Sequence, residues 1–161
     1  MTRADLPAVA HVAAIVHPDY PEDPAIAAER LAVDPAGCFV LDDEVAPIAY
    51  LISHRWMDAA PPALNTHLHV LPPHPDVWYI HDIALLPEAR GLGAAGAIVT
   101  ELLALAHAHG LLRLALTAVN NSTAFWQRFG FADATTPDLA EKLRSYGPDA
   151  RYMTRRLAAS R

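Results

Sequence analysis

Trp78-Tyr79-Ile80-His81-Asp82-Ile83-Ala84-Leu85-Leu86-Pro87-Glu88-Ala89-Arg90-Gly91-Leu92-Gly93-Ala94-Ala95-Gly96 is the stretch that decides the fold. Its first part is a short apolar, β-branched and aromatic run closed by a proline, the pattern of a buried strand. Downstream, Ile98, Leu102 and Leu105 recur at helical spacing, and Gly110 is placed as a C-terminal cap. Between strand and helix lies a turn with glycine at 91, 93 and 96. A strand feeding such a turn into a helix presents unpaired backbone N–H groups and the positive end of the helix dipole, which together attract phosphate. Arg90 stands at the mouth of this nest, where a guanidinium pairs with a pyrophosphate.

Two other phosphate motifs compete. A Walker loop is excluded because no Gly-Lys-Ser/Thr follows. Gly91-x-Gly93-x-x-Gly96 does match the dinucleotide fingerprint, but the strand lies mid-chain. In addition, no Asp or Glu falls between Glu101 and Asp133 to hold a ribose hydroxyl.

The segment from Ile83 to Ala95 resembles the acyl-CoA-binding motif of the GNAT family of N-acetyltransferases. That pattern is Arg or Gln, two residues, Gly, one residue, then Gly or Ala, and Arg90, Gly93 and Ala95 fill it. Downstream, Val119-Asn120-Asn121-Ser122 and Phe125-Trp126-Gln127-Arg128-Phe129-Gly130-Phe131 are similar to the family's asparagine and aromatic-Gly-Phe segment. Arg151-Tyr152-Met153-Thr154-Arg155-Arg156-Leu157 resembles its last strand. The resemblance implies acetyl-CoA as cosubstrate. It implies binding by Ile83, Ala84 and Leu85 along the pantetheine arm, and by Arg90, Gly91, Leu92, Gly93, Ala94 and Ala95 around the pyrophosphate. Either Asn120 or Asn121 would reach the cofactor as well. The expected fold is α/β: one mixed, mostly antiparallel sheet with helices on both faces.

A chain of 161 residues with 53% hydrophobic content suits a single domain, residues 1–161, with a sizeable core. No apolar run approaches the ~20 residues of a membrane span. The first residues lack a signal peptide's basic and apolar regions, and a lone Cys38 forms no internal disulfide, so a cytoplasmic enzyme is expected. Residues 1–80 carry 3 Lys/Arg against 11 Asp/Glu, and residues 81–161 carry 9 against 7. An acidic chain without a basic stripe is a poor nucleic-acid binder. The asymmetry suits an amine on the N-terminal side and a polyanionic cofactor on the C-terminal side. A homodimer is compatible with the sequence.

In order, Asp5 is expected to cap a first helix that His17-Pro18 stops. The family places a strand before this helix; either that strand is vestigial here or the natural start lies upstream. A second helix covers 24–31, and strands at 38–41 and 46–54 pair across Asp42-Asp43-Glu44. Residues 57–76, rich in proline and histidine, form a long loop that is functional or mobile. His67, His69 and His74 suggest a metal cluster, but no spaced cysteine or carboxylate completes it, so no metal is expected. A strand at 111–119, a short helix at 122–129 capped by Asn120 or Asn121, a helix at 137–145 and a strand at 151–157 complete the chain.

Acetyl transfer to an amine needs a held thioester and a path for the amine's proton. Strand alternation puts Tyr79, His81, Ile83 and Leu85 on one face, with Asp82 opposite unless a bulge re-aims it. In arylalkylamine acetyltransferases the His81 place holds a histidine thought to take the proton through water, and in other members the Tyr79 place holds a glutamate base. His81 is thus either the base or a half-buried sheet histidine. The family's usual acid, a tyrosine, falls on Trp126, whose indole N–H is not a usable acid. Tyr146, Tyr152 or water is left to serve. The expected reaction is direct attack by the amine of a small molecule, amino acid or peptide N-terminus. The alternative is an inactive CoA-binding sensor or interaction module.

Overall fold

The computed structural model describes residues 1–157. Six strands form one sheet in the order β1-β2-β3-β4-β6-β5. These are β1 (Cys38–Asp42), β2 (Pro47–Trp56), β3 (Val77–Leu85), β4 (Arg113–Ala118), β5 (Ala132–Asp133) and β6 (Arg151–Arg156). Only β3 and β4 pair in parallel; every other pair is antiparallel. That parallel pair needs a crossover, and α3 (Ala94–Ala108) supplies it. The fold is the expected α/β sandwich around a mostly antiparallel sheet.

Helix α3 and the short α4 (Thr123–Gln127) cover one face, where Val99 and Leu102 pack on Trp78, Leu114 and Leu116. On the other face lie α1 (Leu6–Val16), α2 (Pro24–Val33) and α5 (Pro137–Lys142). There Val9 and Val12 meet Tyr50, Ile52 and Ala84, while Leu139 and Leu143 meet Tyr79 and Tyr152.

Local chemistry sets the helix ends. Asp23 caps α2 by accepting from Ala25 N–H at 2.8 Å, with Pro24 opening the helix. Asp5 does not cap α1. Its carboxylate turns back onto Thr2, accepting from the Thr2 N–H and hydroxyl, and a 3-10 turn at Arg3–Asp5 precedes the helix. No strand stands there; the Met1 ammonium donates to the Cys38 carbonyl on β1 at 3.1 Å. Helix α1 stops at His17 because Pro18 disfavours the helical conformation in the residue before it. Ser122, not an asparagine, is the N-cap of α4, while Asn120 and Asn121 take left-handed backbone with φ of 52° and 55°. Among the described residues no helix is long and apolar enough to cross a membrane.

One irregularity positions the site. Ile52 pairs with Asp82 but Ser53 pairs with Ile80, so β3 carries an extra residue, a bulge at His81. Before the bulge, Trp78 and Ile80 face α3; after it, Ile83 does, and Ala84 faces α1. The expected alternation from Tyr79 to Leu85 therefore fails. His81 and Asp82 share the α1 side, and Ile83 turns away from them. Pairing with β4 runs only from Trp78↔Leu114 to Ile80↔Leu116, and beyond that the two strands splay.

Candidate active site

The splay opens a cleft of about 930 Å³ lined by residues from β3, β4, the glycine turn, α4 and the α1–α2 loop. A volume of this order accommodates a large cofactor portion.

On the α3 side the wall is backbone. Gly91 and Gly93 have φ of 77° and 75°, conformations that side chains disfavour, and nothing lies within 4 Å of a Cβ at either. Gly93 is the N-cap of α3, and the first intrahelical bond runs from Ala97 N–H to the Gly93 carbonyl at 3.0 Å. The N–H groups of Ala94, Ala95 and Gly96 therefore have no partner within the helix, and all three residues line the cleft. Arg90 lines it too, as does Arg128, whose guanidinium carbon sits 5.3 Å above the Phe125 ring. Phe125, Phe129 and the mostly buried Trp126 form an edge-to-face aromatic cluster beside it. A helix N-terminus with two guanidiniums, next to a strand edge left open by the splay, fits the pyrophosphate and pantetheine arm of CoA.

Of the expected cofactor residues, Ile83, Leu85, Arg90, Gly91, Gly93, Ala94, Ala95 and Asn120 line the cleft. Leu92 is exposed outside it. Ala84 packs its side chain under α1, and the Asn121 N–H donates to Asp149 at 3.4 Å. Ser122, Phe125, Arg128 and Phe129 join without having been singled out. Only their nearness in sequence to Asn120 hinted at this.

The α1 side of the cleft is polar. His81 Nε2 meets Glu22 Oε2 at 2.8 Å, with side chains 3% and 18% exposed respectively. Both residues line the cleft, and Glu22, from the α1–α2 loop, is the more exposed member. Its other oxygen accepts from Asn65 N–H at 2.8 Å. Burial alone would raise the Glu22 carboxyl, but the His81 hydrogen bond and charge hold it below its ordinary value. Asp82, re-aimed by the bulge, pairs with His17 Nε2 at 2.9 Å and accepts from the Tyr50 hydroxyl. These contacts outweigh burial and hold Asp82 below the usual carboxylate range.

The three candidate tyrosines have committed hydroxyls. Tyr79 is buried, with its hydroxyl 2.8 Å from that of Thr117, and does not line the cleft. Tyr146 lines the cleft and donates to the Pro62 carbonyl at 3.1 Å. Tyr152 donates to Asp58 and accepts from Ala59 N–H, away from the cleft. Burial raises all three, Tyr152 to about 12. Cys38 is buried and pushed up to about 11, which leaves it no thiolate to attack with. Among the described residues no group of His, Cys, Asp or Glu is arranged to hold a metal; His67 stacks on His69 and faces Glu29.

Splayed central strands, a glycine turn feeding a helix N-terminus and a polar wall opposite are the features of an acyl-CoA-binding fold. The sequence pattern of the acetyltransferase (GNAT) family matches residues 7–131, and the chain belongs to that family. It is an acyltransferase with acetyl-CoA as cosubstrate. No curated protein matches it. Among solved structures it is similar to the ribosomal-protein-S18-alanine N-acetyltransferase from Escherichia coli, with 18% identity and a TM-score of 0.68 over 100% of this chain and 93% of that one. A GNAT-like decarboxylase, GphF, in complex with isobutyryl-CoA shares 14% identity and a TM-score of 0.75 over 98% and 97%. A Mycobacterium tuberculosis protein in complex with CoA, Rv2747, shares 17% identity and a TM-score of 0.66 over 96% and 95%.

Proposed function

We propose that the protein transfers the acetyl group of acetyl-CoA to the amine of a small molecule, amino acid or peptide N-terminus by direct attack. The observation that carries this reading is the Glu22–His81 contact beside the bulge, where β3 and β4 part. The acceptor enters from the α1–α2 side, and the Glu22 carboxylate orients its ammonium. As the amine nitrogen bonds to the thioester carbonyl, its proton passes to Glu22 and is shared with His81. Glu22 and His81 share this hydrogen bond, so the base is the pair and not the buried imidazole alone. Tyr79 supports the site by bonding Thr117, and Tyr146 closes its wall.

A second reading, a CoA-binding sensor without turnover, is favoured by one observation: the buried Trp126 in the place of the family's tyrosine acid. Calorimetry with acetyl-CoA, followed by a screen of amines, amino acids and peptides with a free-thiol readout, separates the two. Saturable turnover is expected, and Glu22→Gln should lower kcat/KM about 10²- to 10⁴-fold with CoA affinity unchanged. CoA binding without turnover of any acceptor would favour the sensor, and absence of CoA binding would remove both.

A further inference from the structure

The bulge brings a second histidine–carboxylate pair to the same cleft. Asp82, turned to the α1 side, meets His17, the residue that ends α1, at 2.9 Å. The same His17 Nε2 lies 3.1 Å from the Ile83 carbonyl oxygen. An N–H at Nε2 donates to both oxygens, which leaves Nδ1 as the ring position free to exchange a proton. Asp82 is held on its other oxygen by the Tyr50 hydroxyl. The His17 and Asp82 side chains are 21% and 24% exposed, and both residues line the cleft. Ile83 begins the strand segment that the family resemblance assigns to the pantetheine arm, and on that assignment His17, which lines the cleft and contacts its carbonyl, borders the thioester end of the groove. Among the described residues Tyr20 also lines the cleft, but its hydroxyl lies beside Gly147, 3.9 Å from where a Cβ there would stand. Trp126 cannot serve, and the Tyr79, Tyr146 and Tyr152 hydroxyls are engaged with Thr117, Pro62 and Asp58.

We infer that His17, anchored between Asp82 and the Ile83 carbonyl, protonates the departing thiolate. Proton movement is thus divided between two pairs, Glu22–His81 for the amine and Asp82–His17 for the leaving group. The inference rests on the acetyltransferase reading above. The new C–N bond forms as the carbonyl electron pair moves to oxygen, and its return breaks the C–S bond and leaves the pair on sulfur. The amine's proton goes to Glu22–His81, and the Nδ1 proton of His17 goes to sulfur. Amide and free thiol result, and both pairs return to their starting states by exchange with water through the open cleft.

The groups acting on His17 are Asp82 and the Ile83 carbonyl on β3 and Glu22 on the α1–α2 loop, while Tyr50 on β2 and His81 across the bulge act on its partner Asp82. Burial alone would lower the His17 imidazole, but the Asp82 hydrogen bond and charge raise it above its ordinary value. That shift favours the protonated ring.

His17→Gln keeps an N–H for Asp82 and Ile83 and removes the exchangeable ring proton. Its kinetics are measured with acetyl-CoA and with an acetyl thioester of an acidic aryl thiol, whose thiolate needs no proton. The expected result is a loss in kcat of about 10²-fold with acetyl-CoA, the range for a positioned acid, and less than about 3-fold with the aryl thioester. The alkaline limb of the wild-type pH–rate profile should vanish, while Tm and CoA affinity stay near wild type. Equal losses on both donors, a retained alkaline limb, or a fall in Tm with an unchanged profile would overturn the role. If His17→Gln does not fold, His17→Asn carries the same comparison. A wild-type protein that binds CoA and turns over no acceptor defeats the acetyltransferase reading instead, a result seen with His17 intact.

Discussion

His54 is a residue whose cost to the fold can be measured. It has no exposed surface, its Nε2 finds no hydrogen-bond partner among the described residues, and its ring lies edge-on to Trp56 and tilted against Tyr79 and His81. Burial, then the neighbouring His81 and Arg30, push its pKa down to about 3. Above the unfolded value of 6.5, folded and unfolded states both hold a neutral ring. Below it the unfolded chain takes a proton that the folded chain refuses, so stability falls as pH falls, by up to about 1.4 kcal/mol per unit. His54→Phe keeps the ring contacts and removes the titration. Urea unfolding between pH 4 and 7 should show a shallower acid slope for the variant, and an identical slope would refute the assignment. At this scale the sequence was half legible. His81 was identifiable from its place on the central strand. Glu22, 59 residues away, carried no local signature and joins His81 only because the α1–α2 loop folds over the bulge.

At the scale of elements, the strand–turn–helix unit was legible because its determinants are local: apolar runs, a proline and glycines in sequence. The alternation along β3 was not, since a bulge is a relation between two strands and Ser53↔Ile80 pairing is invisible in either alone. The Asp5 cap failed for a similar reason: Thr2 offered its carboxylate closer donors. The glycine turn yields a sharp test. Gly93 has a φ of 75° with open space around a Cβ, so Gly93→Ala meets no clash and pays for backbone conformation alone, about 1–2 kcal/mol. Gly96 lies inside α3, where a Cβ would rest 3.6 Å from Phe129, an ordinary contact. Gly96→Ala should therefore hold or raise stability by up to about 1 kcal/mol through helix propensity. Thermal melts should separate the two variants in opposite directions, and calorimetry should show weaker CoA binding for Gly93→Ala. Equal melting temperatures would contradict the argument.

At the scale of the whole molecule, the cleft has two charged walls, with Glu22 and Asp82 on one and Arg90 with Arg128 on the other, the arrangement that the proposed function assigns to acceptor and cofactor. The 57–76 segment proved not to be a free loop. Glu29 on α2 accepts from the Leu68 and His69 N–H groups and holds Arg30, which is fully buried and donates to the Thr66 carbonyl. Asn65 then accepts from Asp23 N–H and donates to Glu22, so the segment and the α1–α2 loop form one wall. The spacing of histidines in the sequence drew attention away from these backbone donors. Glu29→Gln leaves Arg30 buried without its carboxylate, a change that costs about 3–5 kcal/mol when a buried pair is broken. It should also speed hydrogen exchange at Leu68 and His69. Because Glu22 is positioned through Asn65 in that wall, the acceptor KM should rise several-fold while acetyl-CoA affinity, set on the far side by the α3 turn, stays put. A variant within about 0.5 kcal/mol of wild type, or one that loses CoA affinity and acceptor affinity together, would show that the strap does not organise the acceptor side.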